Sequence, residues 1–152
     1  MKTIPLERES LFPRMDGIRK NVRKLESLSQ LPLEEFSVGD SFDLAQHHLR
    51  LALEGIFNIS THILSRLPGG RAVEYKEVAL KMGEQKVVPK AFAERAMVPM
   101  AGLRNILVHH YSDIRPEKIY EILKNNLKYI EQFLEHIKNF LDRLHDFGLC
   151  LI

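Results

Sequence analysis

The densest chemistry in the sequence lies in "RNILVHHY", residues 104–111. An arginine, an asparagine, two histidines and a tyrosine end a segment that otherwise reads as a buried helix. At about 100° per residue, Arg104 and Tyr111 fall within ~20° of each other around the helix axis. Asn105 and His109 are four apart and share a neighbouring face. Arg104 and His109 are separated by roughly 140°, so they border one cleft without stacking on each other. A two-fold axis beside this helix would let each of two subunits supply one Arg and one His to a shared cleft.

These residue types suit cleavage of RNA by its own 2′-hydroxyl. A proton must leave that hydroxyl and another must reach the departing 5′-oxygen, and an imidazole titrating near neutrality can do either. The transition state gathers negative charge on phosphate oxygens, to which a guanidinium presents a fork of donors. Asn105 can orient substrate or water, and Tyr111 can stack on a base or bind phosphate. None of these roles requires a metal. A plainer reading stands beside this one. Cations near a helix C-terminus meet its dipole favourably, and tyrosine is common at the edge of a core.

The segments that must position this stretch read as helices. Leu11, Met15, Ile18, Val22, Leu25 and Leu28 recur at three- and four-residue steps, predicting a first helix over about 11–28 with Pro13 in its first turn. "SQLPLEEFSVGD" connects it to a long second helix capped by Asp40 or Ser41 and ended by "PGG" at 68–70. Gly55 lies inside that helix, where it costs stability but permits close packing. A short helix over "EYKEVALKMGEQ" precedes the helix that carries the motif. Pro99 should kink that motif helix about one turn earlier. On it, Leu103, Ile106 and Leu107 are expected to face the core. His110 is expected on or beside that face, with Arg104, Asn105, His109 and Tyr111 outward. "YSDIR" then breaks the chain, with Asp113 a candidate cap and Pro116 in the next first turn. A last helix is expected over about 116–145. Its seam is Leu123, Leu127, Ile130, Leu134, Ile137, Leu141 and Leu144, widened by Ile119, Ile122, Phe133 and Phe140.

No segment alternates as a strand would. Four main helices and one short one make an antiparallel all-α bundle, a single domain over 1–152, with room on the last helix for a second subunit. The composition agrees: 152 residues, 45% hydrophobic and 28% charged, suit one globular core and argue against disorder. A formal net charge of +2 does not announce a nucleic-acid binder, so any RNA contact must use a local basic patch. Cys150 is the single cysteine, which excludes an internal disulfide and disfavours a thiolate metal site. It reads as an ordinary residue of a C-terminal tail. The N-terminal "MKTIPLERESLFPRM" is too charged for a signal peptide, and no run of 18 apolar residues exists. A cytoplasmic protein that does not enter the membrane is the expectation.

"RNILVHHY" has the form Arg-x4-His-x-Tyr with Asn directly after the Arg. In this it resembles the HEPN-domain proteins, specifically the HepT-like (DUF86) toxin ribonucleases. The order of segments is similar from about residue 10 to 145. It includes "DLAQHHLRLALEGIFNISTHIL", a Y-x-E-V short helix at 75–78, the motif helix, and "I-x-E-I-L" before a long terminal helix. The resemblance implies an all-helical homodimer with two motifs facing across the interface, acting as a metal-independent endoribonuclease without a cofactor. It implies a minimal nucleotidyltransferase antitoxin as partner, which in some systems transfers AMP onto the motif tyrosine. Carried over, Arg104 contacts the scissile phosphate, His109 is the acid–base group, Asn105 supports the site, and Tyr111 is the modification target. Some HEPN proteins are instead non-catalytic subunits that bind nucleotide or RNA within a nucleotidyltransferase complex, and that alternative remains.

Other polar clusters are weaker. His47, His48 and His62 share the second helix, which has no Glu-x-x-His pair, and Glu54 with His47 is a poor metal start. A solvated face, or the lining of the same cleft, is expected of these histidines. "LPGGR" at 67–71 lacks the spacing of a phosphate loop. Arg19, Lys20, Arg23 and Lys24 share one face of the first helix, and Lys81, Lys86, Lys90 and Arg95 form a scattered basic set. Each is a solvated surface or a phosphate track, and the first could also contact an acidic antitoxin.

Overall fold

The computed structural model describes residues 3–152. A strand β1 (Ile4–Leu6) leads into α1 (Arg8–Ser29). A one-turn helix α2 (Leu33–Phe36) bridges to α3 (Ser41–Leu64), and α4 (Tyr75–Glu84) follows. A helical turn α5 (Lys90–Phe92), a π turn (Ala93–Met97) and α6 (Val98–His109) then run on without interruption. A 3-10 turn at Tyr111–Asp113 precedes α7 (Pro116–Asn125) and α8 (Leu127–Leu141). A second 3-10 turn (Leu144–Phe147) leads to strand β2 (Leu149–Leu151). Four long helical runs with two shorter helices, α2 and α4, form the expected all-α bundle. None of the helices among the described residues is long and apolar enough to cross a membrane.

α1 and α3 pack antiparallel along most of their length. Asn21 meets His48, and Ile18 lies against Gly55, so the pairing runs in opposite directions. A Cβ built on Gly55 would stand 2.8 Å from Cγ1 of Ile18, which is why a glycine occupies this point of α3. The apolar stripe of α1 is buried as its spacing predicted, through Leu11, Met15, Ile18, Val22 and Leu25. The helix starts earlier than expected, at Arg8, so Pro13 sits in its second turn rather than its first. The cause is long-range: β1 pairs in parallel with β2, Ile4 opposite Leu149 and Leu6 opposite Leu151, and the Arg8 N–H donates to the Ile152 carbonyl at 2.9 Å. Cys150 therefore lies in a strand opposite Pro5, not in a loose tail.

Pro99 acts where expected. It has no N–H to offer the Arg95 carbonyl, and the preceding turn widens so that the Val98 N–H bonds back to the Ala93 carbonyl, five residues away. Two expectations fail further on. The last helix is not continuous: it breaks at Asn126, whose φ of −118° is stretched from that of a regular α-helix, and α8 ends at Leu141 rather than near 145. Asparagine competes with the helix through its own side chain, and Asn125 stands beside it. The seam survives the break, since Leu123, Leu127, Ile130, Leu134, Ile137 and Leu144 are buried, with Leu141 partly so. Asp113 is not a cap either; Arg115 precedes α7, with Pro116 at its first position. The core centres on Phe57, Phe133 and Phe140 from α3 and α8, with Phe36 of α2 closing one end against Tyr120.

Candidate functional site

α6 delivers the motif to one edge of the bundle. Met100, Ala101 and Leu107 bury its inner face, and the helix ends at His109, with the His110 N–H still donating to the Ile106 carbonyl at 2.8 Å. Asn105, His109 and His110 are exposed, and Tyr111 follows in the 3-10 turn with 66% of its surface open. Two placements differ from the helical-wheel reading. Ile106 is 43% exposed and borders an apolar groove with Leu103 and Met100, instead of joining the core. Arg104 does not face outward: only 16% of its side chain is exposed. Tyr75 on α4 and Glu54 on α3 decide this, neither of which a single-helix wheel contains.

Arg104 is drawn inward by two partners. Its guanidinium carbon stands 4.3 Å from the centroid of the Tyr75 ring, at the first residue of α4. One terminal nitrogen lies 3.8 Å from Oε1 of Glu54 on α3. Glu54 is itself held by Arg50, one turn away, whose guanidinium donates to both carboxylate oxygens at 3.2 and 3.3 Å. The Arg104 Nε is buried with no hydrogen-bond partner. No ion pair or hydrogen bond joins Arg104 to His109 among the described residues, in keeping with their separation around the helix. Glu54 and Tyr75 are site residues that spacing could not reveal. Glu54 announces only its i, i+4 pair with Arg50, while its contact with Arg104 spans fifty positions of sequence.

Beside this cluster a groove of about 460 Å³ opens between α3 and the end of α6. Asp43, Gln46, His47, Arg50 and Glu54 line it from α3, facing Leu107, Val108 and Tyr111. Of the three histidines on α3, His47 alone lines it. The His48 Nδ1–H donates to Oδ1 of Asn21 at 2.9 Å, and His62 accepts from the Glu7 N–H at 3.3 Å. Burial lowers the pKa of His48, helped by His47 and Lys24, so its neutral form is favoured. Burial likewise lowers that of His62, with Arg66 adding to the effect.

The basic sets do not form one patch. Arg19 is paired with Asp16 at 3.0 Å, while Lys20, Arg23 and Lys24 are exposed. Lys81 donates to the Gly69 carbonyl, Lys86 and Lys90 line a groove with His136 and Arg143, and Arg95 borders the apolar groove under Ile106.

Residues 18–137 match the family model described as ribonuclease HepT-like. The chain belongs to the HepT-like family. It is 25% identical over 136 residues to the tRNA nuclease HepT of Aphanizomenon flos-aquae, covering 88% of this chain and 90% of that one. It is 24% identical over 105 residues to the mRNA nuclease HepT of Shewanella oneidensis, covering 69% and 76%. Among solved structures, the tri-AMPylated Shewanella oneidensis HEPN toxin in complex with its MNT antitoxin superposes with a TM-score of 0.78 at 18% identity, over 87% of this chain and 98% of that one. A toxin–antitoxin complex with AMP-PNP gives the same score at 17% identity, over 87% and 99%. Structural likeness at this identity speaks for the HEPN fold, and the HepT-like match speaks for the family.

Proposed function

We propose that the protein is the toxin of a HEPN/minimal-nucleotidyltransferase pair, an endoribonuclease that needs no metal and works as a homodimer. The observation that carries the reading is the complete Arg-x4-His-x-Tyr motif at the end of α6, with its Tyr111 lining the α3–α6 groove, in a chain whose residues 18–137 match the HepT-like ribonucleases. His109, exposed at the end of α6, moves the proton: it takes it from the 2′-hydroxyl, or gives one to the leaving 5′-oxygen. The 2′-oxygen bonds to phosphorus as the 5′-oxygen departs. Arg104 stabilises the charge that gathers on the phosphate oxygens, and Asn105 supports substrate from the same outer face as His109. Arg104 turns in toward Tyr75 while His109 points out, so a complete cleft is assembled from two copies of the motif across a two-fold axis.

Tyr111, open to solvent, is the residue through which the partner acts. Its phenolic oxygen attacks the α-phosphorus of ATP held by the nucleotidyltransferase, pyrophosphate leaves, and the tyrosine proton is lost. The bulky anionic adduct then blocks the groove that Tyr111 lines. The likeness to an AMPylated HEPN toxin bound to an MNT antitoxin supports this assignment.

The deciding experiment compares wild type with His109→Ala for growth arrest on expression and for RNA cleavage in chelator. Cleavage by wild type that His109→Ala abolishes is the expected result. RNA binding by both without cleavage by either would instead make the protein a non-catalytic binding subunit. After co-expression with the neighbouring nucleotidyltransferase, mass spectrometry should find added AMP on Tyr111. A neutralised complex with unmodified Tyr111 would mean inhibition by contact alone.

A further inference from the structure

Arg104 is held in an unusual way for a sheltered arginine. A guanidinium carries five N–H donors, and buried polar groups are nearly always hydrogen-bonded. Here the Nε is buried and unpartnered, and the contact to Glu54 at 3.8 Å is an ion pair too long for a hydrogen bond. What is fixed instead is the plane. Tyr75 stacks beneath the guanidinium, and the Tyr75 ring is locked in turn by an edge contact to the fully buried Phe57, centroids 5.0 Å apart. Glu54 sets the in-plane direction, and Arg50 holds Glu54 through both carboxylate oxygens. An arginine serving only the core would spend its donors on the protein. This one is oriented and charge-balanced while its donors stay free.

We propose that Tyr75 and Glu54 are positioning residues for Arg104. They form a socket that holds the guanidinium at a fixed angle, its Nε–H buried and its terminal N–H groups ready for the non-bridging oxygens of an RNA phosphate. The inference rests on the nuclease reading above. Tyr75 supplies the platform and Glu54 the lateral anchor, and both act through Arg104. A phosphodiester laid against the end of α6 takes up the terminal N–H groups of Arg104, and the Arg50–Glu54 pair keeps the carboxylate from following the arginine outward. The chain Phe57–Tyr75–Arg104 thus ties the geometry of the site to the packing of the core. It also gives a role to the tyrosine of the Y-x-E-V segment at 75–78.

The test measures kcat and KM on bulk tRNA for Tyr75→Leu, Tyr75→Phe and Glu54→Gln, with thermal unfolding to show that each variant is folded. A misplaced catalytic group costs up to about 100-fold in rate. Tyr75→Leu should therefore lose about 100-fold in kcat with KM within about 3-fold of wild type, and Tyr75→Phe should restore most of it. Glu54→Gln should lose about 10-fold, again in kcat. Arg104→Ala combined with Tyr75→Leu should be no worse than Arg104→Ala alone. A folded Tyr75→Leu protein with near-wild-type kcat, or Tyr75→Phe falling as far as Tyr75→Leu, overturns the socket. A second readout does not depend on activity. In wild type the Arg104 Nε–H resonance should be shifted upfield by the Tyr75 ring and protected from exchange, and Tyr75→Leu should abolish both. If the signal behaves so while wild type cleaves no RNA, the nuclease reading fails and the socket stands. If the signal is indifferent to Tyr75→Leu, the socket fails whatever the cleavage assay gives.

Discussion

Gly55→Ala tests the contact on which the position of α3, and therefore of Glu54, depends. The new Cβ would lie 2.8 Å from Cγ1 and 3.1 Å from Cδ1 of Ile18, a side chain 1% exposed. Cγ1 is the inner carbon of its side chain, so rotating the far end does not relieve the overlap; α1 or α3 must shift. Against this, alanine gains about 1 kcal/mol over glycine inside a helix. Overpacking a tight core contact costs about 1–3 kcal/mol. The expected net effect is a loss of about 1 kcal/mol, or about 2–4 °C in Tm for a chain of this size. Urea unfolding at fixed protein concentration measures it as a lower midpoint with an unchanged slope. The double variant with Ile18→Ala supplies the control. The added methyl fills part of the space that the isoleucine leaves, so the pair should be less harmful than the sum of the singles by about 1 kcal/mol. If Gly55→Ala stabilises the protein by the full helix-propensity gain, and shows no coupling to Ile18→Ala, the close approach of α1 and α3 is refuted.

Further outcomes follow from the ionisable groups. Burial lowers the pKa of His48, His62 and His136 in the folded state, so the unfolded chain binds more protons near and below pH 6.5. Their neutral forms thus favour folding at pH 7.5, and Tm should drop as pH falls through about 6.5. His48→Gln should make that drop shallower, and an unchanged slope would clear His48 of any part in it. Glu131 behaves oppositely. Burial raises its pKa, and the hydrogen bond and charge of Glu26 raise it further, so the charged pair opposes folding once pH exceeds the raised value. Glu131→Gln should therefore raise Tm at pH 7, with the gain vanishing near pH 4. A gain that persists in acid would point to packing instead.

Much of the scaffold could be read from periodicity because α1 and α8 each bury one stripe, whereas on α3 Leu44 and Leu51 are exposed and Leu49 and Leu53 lie inside. Leu11 to Leu25 and Leu123 to Leu144 are inside because their spacing leaves them on one face. What spacing could not supply was set by distant partners or by single residues. β1 and β2 are three residues each and exist only because the chain ends meet, so no local alternation marks them. Asn126 ends a helix whose apolar seam continues past it, and a wheel follows the seam rather than the backbone. At the site, the exposure of Asn105 and His109 followed from their positions on α6, and that of Tyr111 from its place just past the helix end. The inward turn of Arg104 did not, because a guanidinium on a long flexible stem goes where an aromatic face and a carboxylate receive it, and both come from other helices.

The central claim is a ribonuclease cleft built from two copies of one motif, and mixing inactive subunits tests it most directly. Arg104→Ala and His109→Ala proteins, each purified alone, would be mixed, unfolded and refolded together, then assayed for metal-free RNA cleavage beside wild type. Up to about half of the resulting dimers would carry one intact Arg104 and one intact His109 facing each other across the axis. Activity that is absent from either variant and reappears in the mixture is the predicted result. A mixture as inactive as its components, beside a wild type that cleaves and exchanges subunits under the same treatment, would contradict the shared cleft. A wild type that cleaves nothing would contradict the nuclease itself.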